Sequence, residues 1–222
     1  MSKTILVIAA HSDDEALGCS GTMAKHISAG DKVHVIFMTN GVGARQSSMY
    51  EENKRLDAAQ KVAKLLKIAS FTNLDFPDNK MDSLPLLDIV KEVENKITEI
   101  QPQVIYTHHI GDLNVDHQVT HKAVMTACRP LPGLCVKEIY AFEVLSSTEW
   151  QTLGYMPFTP NVFVDIAGFV DIKKQALEFY SKEMRKSPHS RSVDNVLRLN
   201  ALRGNFVGVD YAEAFVVLRH MR

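Results

Sequence analysis

Apolar runs of strand length alternate with helical patterns from one end of this chain to the other. That alternation narrows its fold more than any other feature. Ile5–Ala10 reads as a buried strand, and Met23–Ala29 as a helix stopped by Gly30-Asp31. Val33–Thr39 is a second strand, closed by Asn40-Gly41, and a polar loop rich in Gly and Ser leads into a helix over Asn53–Lys67. There Leu56, Ala59, Val62, Ala63 and Leu66 mark one apolar face. The pattern continues with a strand at Phe71–Phe76, a helix at Leu84–Ile100, a strand at Val104–Thr107 and a helix at His117–Cys128. Strands at Glu138–Val144 and Val162–Ile166, helices at Val170–Met184 and Val193–Arg203, and a late strand at Ala214–Leu218 complete it. The reading is an α/β, Rossmann-like three-layer sandwich with a mostly parallel sheet, formed by residues 1–222 as a single domain. No repeat, low-complexity tract or linker interrupts it.

In such sheets ligands bind beyond the carboxyl ends of the strands. Two clusters of imidazole and carboxylate sit at such ends. His11-Ser12-Asp13-Asp14-Glu15 follows the first strand, and His108-His109-Ile110-Gly111-Asp112-Leu113-Asn114-Val115-Asp116-His117 follows the fourth. Unpaired charge is costly to bury, so the first cluster faces solvent, a partner or a metal. Two readings stand for it: Ser12, Asp13 or Asp14 caps the next helix, or the cluster holds a cation such as Zn²⁺, with Fe²⁺ as an alternative. If the two loops converge, His11, Asp14 and His117 offer two nitrogens and one oxygen and leave a position open. Asp13 is then placed to accept a proton, and Asp116 to hold the His117 ring in its ligating tautomer.

Rival patterns are weaker. His117 and His121 have the spacing of helical zinc ligands, but Gln118 stands where a zinc peptidase needs Glu. Gly18 to Gly21 is no phosphate cradle, because Asp13, Asp14 and Glu15 repel phosphate there, and the dinucleotide-binding glycine pattern is absent. Cys19 reads as a small buried thiol. The formal net charge of -1 gives no pull toward nucleic acid, and no run of about 18 apolar residues spans a membrane. Three cysteines without paired spacing, and a start without a signal peptide's cleavage region, point to a reducing, cytoplasmic setting.

Taken together, these residues resemble the PIG-L (LmbE-like) N-deacetylase family, metal-dependent amidases of N-acetylated sugars. Ala10 to Glu15 matches the family's Ala-His-Pro-Asp-Asp-Glu, with Ser12 replacing the proline, and Asp116-His117 matches the end of its second motif. The resemblance implies that His11, Asp14 and His117 bind the metal and that Asp13 is the general base. It also implies substrate contacts at Arg55 and Asp78. Pro188-His189-Ser190-Arg191-Ser192 and the stretch from Arg203-Gly204 to Ala212-Glu213-Ala214-Phe215 resemble members associated with surface-sugar and glycoconjugate synthesis, which brings His189 and Arg191 in as contacts.

One departure bears on mechanism: Asn114 stands where several members carry a histidine three residues before the metal-binding one. An amide can donate a hydrogen bond to substrate but cannot deliver a proton at neutral pH. General-acid duty then falls to protonated Asp13 or to an imidazole such as His189. The expected partner is a small N-acetylated sugar or conjugate, without nucleic acid or a membrane span; a homo-oligomer is compatible with the sequence. Two rival functions are hydrolysis of another amide, such as a thiol-conjugate, and non-catalytic sugar binding, which does not need Asp13.

Overall fold

The structure, a computed structural model, describes residues 2–39 and 49–222, with side chains described in the second stretch from Arg55 onward. The expected Asn40-Gly41 stop and the loop after it lie outside the described residues. The chain runs β1 (Thr4–Ala9), α1 (Asp14–Ser28), β2 (Lys32–Thr39), α2 (Met49–Leu66), β3 (Ser70–Phe76), α3 (Leu86–Ile100), β4 (Val104–His108) and α4 (Val115–Ala127). It continues with β5 (Glu138–Phe142), β6 (Val162–Asp165), α5 (Val170–Phe179), α6 (Val193–Asn205) and β7 (Ala212–His220). The strands form one sheet in the order β3-β2-β1-β4-β5-β7-β6, with only β7 antiparallel to its neighbours.

Alternate residues of the central strands feed opposite faces. Ile5, Val7, Ala9, Val35 and Phe37 pack with Leu17 of α1, Val62 of α2 and Leu177 of α5. Leu6, Ile8, Ile36 and Met38 pack with Val93 of α3 and Val124 of α4. Burial on both faces explains why β1 reads as a continuous apolar run rather than an alternating one. Strand order reverses at β1, whose neighbours are β2 and β4. A crevice therefore opens above the carboxyl ends of β1 and β4, where the two polar clusters sit. Among the described residues no helix is long and apolar enough to cross a membrane.

The largest departure from the sequence reading is α1, which begins at Asp14 rather than Met23. Residues 14–24 are all buried, so the segment lacks the polar face that betrays a surface helix. The helix is also broken at Cys19, whose φ of -150° and ψ of 16° leave the helical region. Two buried side chains repair the break. Glu213 on β7 accepts from the backbone N–H groups of Gly21 (3.0 Å) and Thr22 (2.7 Å), capping the second half. Lys173 on α5 donates to the carbonyl of Leu17 (2.9 Å), at the end of the first half, and to Glu213 (2.5 Å). Both side chains are fully buried. Cys19 is buried as expected. Gly18 lets Phe142 approach so closely that a Cβ there would lie 2.5 Å from the ring.

Candidate metal centre

His11, Asp14 and His117 meet in the crevice, all buried. His11 Nδ1 lies 3.2 Å from Asp14 Oδ2 and 3.3 Å from His117 Nε2, and His117 Nε2 lies 3.3 Å from Asp14 Oδ2. Zinc bonds of 2.0–2.1 Å place the corners of a tetrahedron about 3.3–3.4 Å apart. The three donors therefore already have the spacing of one face of such a site.

The rest of each ring is oriented by carboxylates. His11 Nε2 faces Asp78 Oδ1 and Asp116 Oδ2, each at 3.2 Å. Asp116 is fixed in turn by the backbone N–H groups of Asn79 (2.6 Å) and Met81 (3.1 Å). Asp116 thus serves His11, not His117 as its sequence position suggested. The carboxylate on the His117 ring is Asp112, with Oδ2 3.1 Å from Nδ1. His108 stacks on His117 with centroids 3.8 Å apart, and its Nε2 accepts from the Ala10 N–H at 2.8 Å.

This field calls for positive charge. Burial alone would lower the His117 pKa, but Asp14 and Asp112 outweigh it and raise it to about 9. Burial likewise works against His11, yet Asp116, Asp14 and Asp78 hold its pKa well above the ordinary value. Burial would raise Asp14, but His117 and His108 draw its pKa well down. A divalent cation would supply that charge and displace the protons. His108 differs: burial pushes it down to about 4 and keeps its ring neutral.

Asp13 lies beside this trio with a φ of 137°, a conformation L-residues rarely adopt. It occupies the N-cap position of α1 yet makes no side-chain capping bond, which removes the capping reading for this residue. Its Oδ2 accepts from Arg191 Nη1 at 3.1 Å, while its buried Oδ1 has no hydrogen-bond partner among the described residues. Burial raises the Asp13 pKa, and the Arg191 charge opposes the rise. Arg55 Nη2 lies 2.9 Å from Glu183 and 3.8 Å from Asp13. Glu15, the last acid of the cluster, accepts from the Tyr180 hydroxyl (2.7 Å) and the Asp13 N–H (3.0 Å), and burial raises its pKa to about 8.

The remaining expected contacts scatter around the centre. Asp78 is buried against His11. The Asn114 side chain caps α4 by accepting from the Asp116 N–H at 2.8 Å. His189 accepts from the Arg191 N–H at 3.1 Å and packs edge-on to Trp150, so it meets the centre through Arg191. Asp112 and Glu183 were not singled out as ligands or partners from the sequence. For Asp112 a signal existed: it lies in the same strand-to-helix loop as His117.

Residues 6–128 match the PIG-L family, GlcNAc-PI de-N-acetylase, over more than half of the chain. The chain belongs to the PIG-L family. An uncharacterized deacetylase of the family's kind, YaiS of Escherichia coli K12, is 27% identical over 169 residues, 74% of this chain and 82% of that protein. Diacetylchitobiose deacetylase of Thermococcus kodakarensis is 25% identical over 199 residues, covering 82% of this chain and 70% of its own length. Two solved structures share the fold. N,N'-diacetylchitobiose deacetylase from Pyrococcus horikoshii, complexed with its inhibitor MPG, matches 98% of this chain and 84% of its own with a TM-score of 0.80 at 20% identity. GalB, the 4-carboxy-2-hydroxymuconate hydratase of Pseudomonas putida KT2440, matches 97% of this chain and 96% of its own with a TM-score of 0.75 at 22% identity. This PIG-L family chain is an enzyme, a hydrolase acting on amide bonds as its deacetylase relatives are.

Proposed function

We propose that this PIG-L domain, residues 1–222, removes the acetyl group from an N-acetylated sugar or sugar conjugate, with Zn²⁺ held by His11, Asp14 and His117. The observation that carries the reading is the trio's tetrahedral-face spacing, with Asp13 Oδ1, unpartnered among the described residues, buried beside it. Fe²⁺ is the alternative occupant. The bound ion supplies Lewis acidity toward the acetamide carbonyl and the attacking water.

The side chains do the rest. Asp13 Oδ1 takes the proton of the water as its oxygen bonds to the carbonyl carbon. Arg191, on Oδ2, fixes the carboxylate so that Oδ1 is the oxygen presented. When the tetrahedral carbon collapses, the C–N bond breaks, Asp13 returns its proton to the departing nitrogen, and acetate and a free amine leave. Asn114 is occupied as a helix cap and, among the described residues, His189 meets the centre through Arg191, so Asp13 acts as base and then acid. Arg55 and Arg191 at the rim offer planar donor forks to sugar hydroxyls or an anionic substituent. The freed amine suits later derivatisation in surface-glycan or glycoconjugate synthesis, in the cytoplasm, and neither nucleic acid nor membrane takes part.

The decisive experiment is metal analysis of the purified chain with acetate release measured across a panel of N-acetyl sugars and their nucleotide and lipid conjugates. Stoichiometric metal and acetate from at least one of them are expected. The hydratase on the same fold supplies the competing outcome: metal bound with no acetate from any amide would overturn the deacetylase reading.

A further inference from the structure

We propose that Asp112 is a positioning residue that sets the His117 tautomer, and through it the metal affinity of the site; this rests on the metal reading above. The Thr148 hydroxyl oxygen accepts from the Val144 N–H at 2.8 Å, so its own hydrogen is free to point at Asp112 Oδ2, 2.6 Å away. Ser147 Oγ donates to Oδ1, and the Asn114 N–H donates to the same oxygen at 2.9 Å. An ionised carboxylate has about four acceptor sites. Three are taken by these donors, and the remaining charge of Oδ2 lies 3.1 Å from His117 Nδ1, an ion-pair contact rather than an aligned hydrogen bond.

A carboxylate surrounded in this way accepts and does not donate. In the neutral ring that ligates a metal, the one remaining proton of His117 therefore resides on Nδ1, and the Nε2 lone pair points toward His11 and Asp14. The side chain is fully buried, so water does not compete for it. Gln118 and Gln151 hold the backbone as well, donating to the Asp112 carbonyl at 2.6 and 3.1 Å. The loop after β5 thus reaches the metal ligand through one carboxylate, held by Ser147, Thr148 and Gln151.

The test is a Zn²⁺ dissociation constant, by competition with a chromophoric chelator at fixed pH, for the full chain and for Asp112→Asn and Thr148→Val. Asp112→Asn should weaken Zn²⁺ by ~10–100-fold, and Thr148→Val by less in the same direction. Both variants folding and binding Zn²⁺ as the unmodified chain does would overturn the proposal. A purely structural role would lower the melting temperature without moving the affinity of the folded protein. A second measurement needs no variant: in ¹⁵N-labelled protein loaded with ¹¹³Cd²⁺, the metal should couple to His117 Nε2 while Nδ1 keeps its proton. Coupling to Nδ1 refutes the assignment even if Asp112→Asn fails to fold. Failure of the unmodified chain to bind either ion sinks the metal reading and this inference together, whereas unchanged affinity in the variants sinks this inference alone.

Discussion

The Lys173–Glu213 pair gives a sharp stability test, because it closes a break in the helix whose first turn carries Asp14. Both side chains are fully buried, and between them they satisfy two backbone N–H groups and one carbonyl. Lys173→Met leaves the buried Glu213 carboxylate without its counter-charge and orphans the Leu17 carbonyl; Glu213→Gln leaves the buried Lys173 ammonium without its counter-charge. Removing one partner of a buried pair costs about 3–5 kcal/mol. With a urea m-value of about 2–3 kcal/mol/M for a chain of this size, each single variant should lower the unfolding midpoint by ~1–2 M. The double variant Lys173→Met/Glu213→Gln leaves no unpaired charge, and the glutamine carbonyl still accepts from one N–H. Its cost should fall to about 1–3 kcal/mol, that of the remaining unsatisfied backbone groups, well below the sum of the singles. The assay is urea unfolding with EDTA present, so that metal binding does not mask the difference. Single variants costing under about 1 kcal/mol, or costs that simply add, would refute the claim that this pair mends α1.

Three further outcomes follow from the site and its loops. Asp13→Asn keeps an acceptor for Arg191 and should retain the metal while turnover falls ~10²-fold or more; near-normal turnover would remove Asp13 from the chemistry. Because His117 is protonated below about 9 and only the neutral ring ligates, Zn²⁺ affinity should rise with pH between 6.5 and 9, by roughly tenfold per unit for each proton displaced. A flat dissociation constant across that range would contradict the charge balance derived for the centre. Gly111→Ala would put a Cβ 2.0 Å from the Met156 carbonyl oxygen, so the loop before α4 must shift; a loss of about 1–3 kcal/mol is expected in thermal unfolding, and an unchanged melting temperature would show that this approach is not tight in solution.

Much of this architecture was legible because each strand announces itself as a short apolar run, and because the order of those runs places the His11 and His117 loops at one switch point. The partner of His117 was not. Asp116 is its immediate neighbour in sequence, but adjacent residues on a helix point about 100° apart, so Asp116 turns away to His11. The residue that does face His117 comes from the preceding loop, where no periodicity operates. The start of α1 was hidden for the opposite reason, since a segment buried all round shows no amphipathic stripe. Lys173 and Glu213 lie 40 residues apart on different elements, and nothing local marks them as a pair. Asp78 was visible as a carboxylate after β3, but only the folded chain shows it against a ligand ring rather than open to a sugar.

The two halves of the sheet, β3-β2-β1 and β4-β5-β7-β6, meet at the seam between β1 and β4. That seam has three paired positions, Ile5 with Val104, Leu6 with Ile105 and Val7 with Tyr106, where β1 and β2 share six. Just beyond its end, Ala10 donates to His108, and the donor trio draws His11 and Asp14 from one side and His117 from the other, 106 residues away from His11. A cation seated there fastens the two halves like a clasp at the open end of a short zipper. Occupied at a hundredfold above its dissociation constant, it would add about 2.7 kcal/mol to the joined state. With such an ion, catalytic readiness and completion of the sheet would become one event, since a chain that has not closed its central seam does not bring His11 and Asp14 to His117.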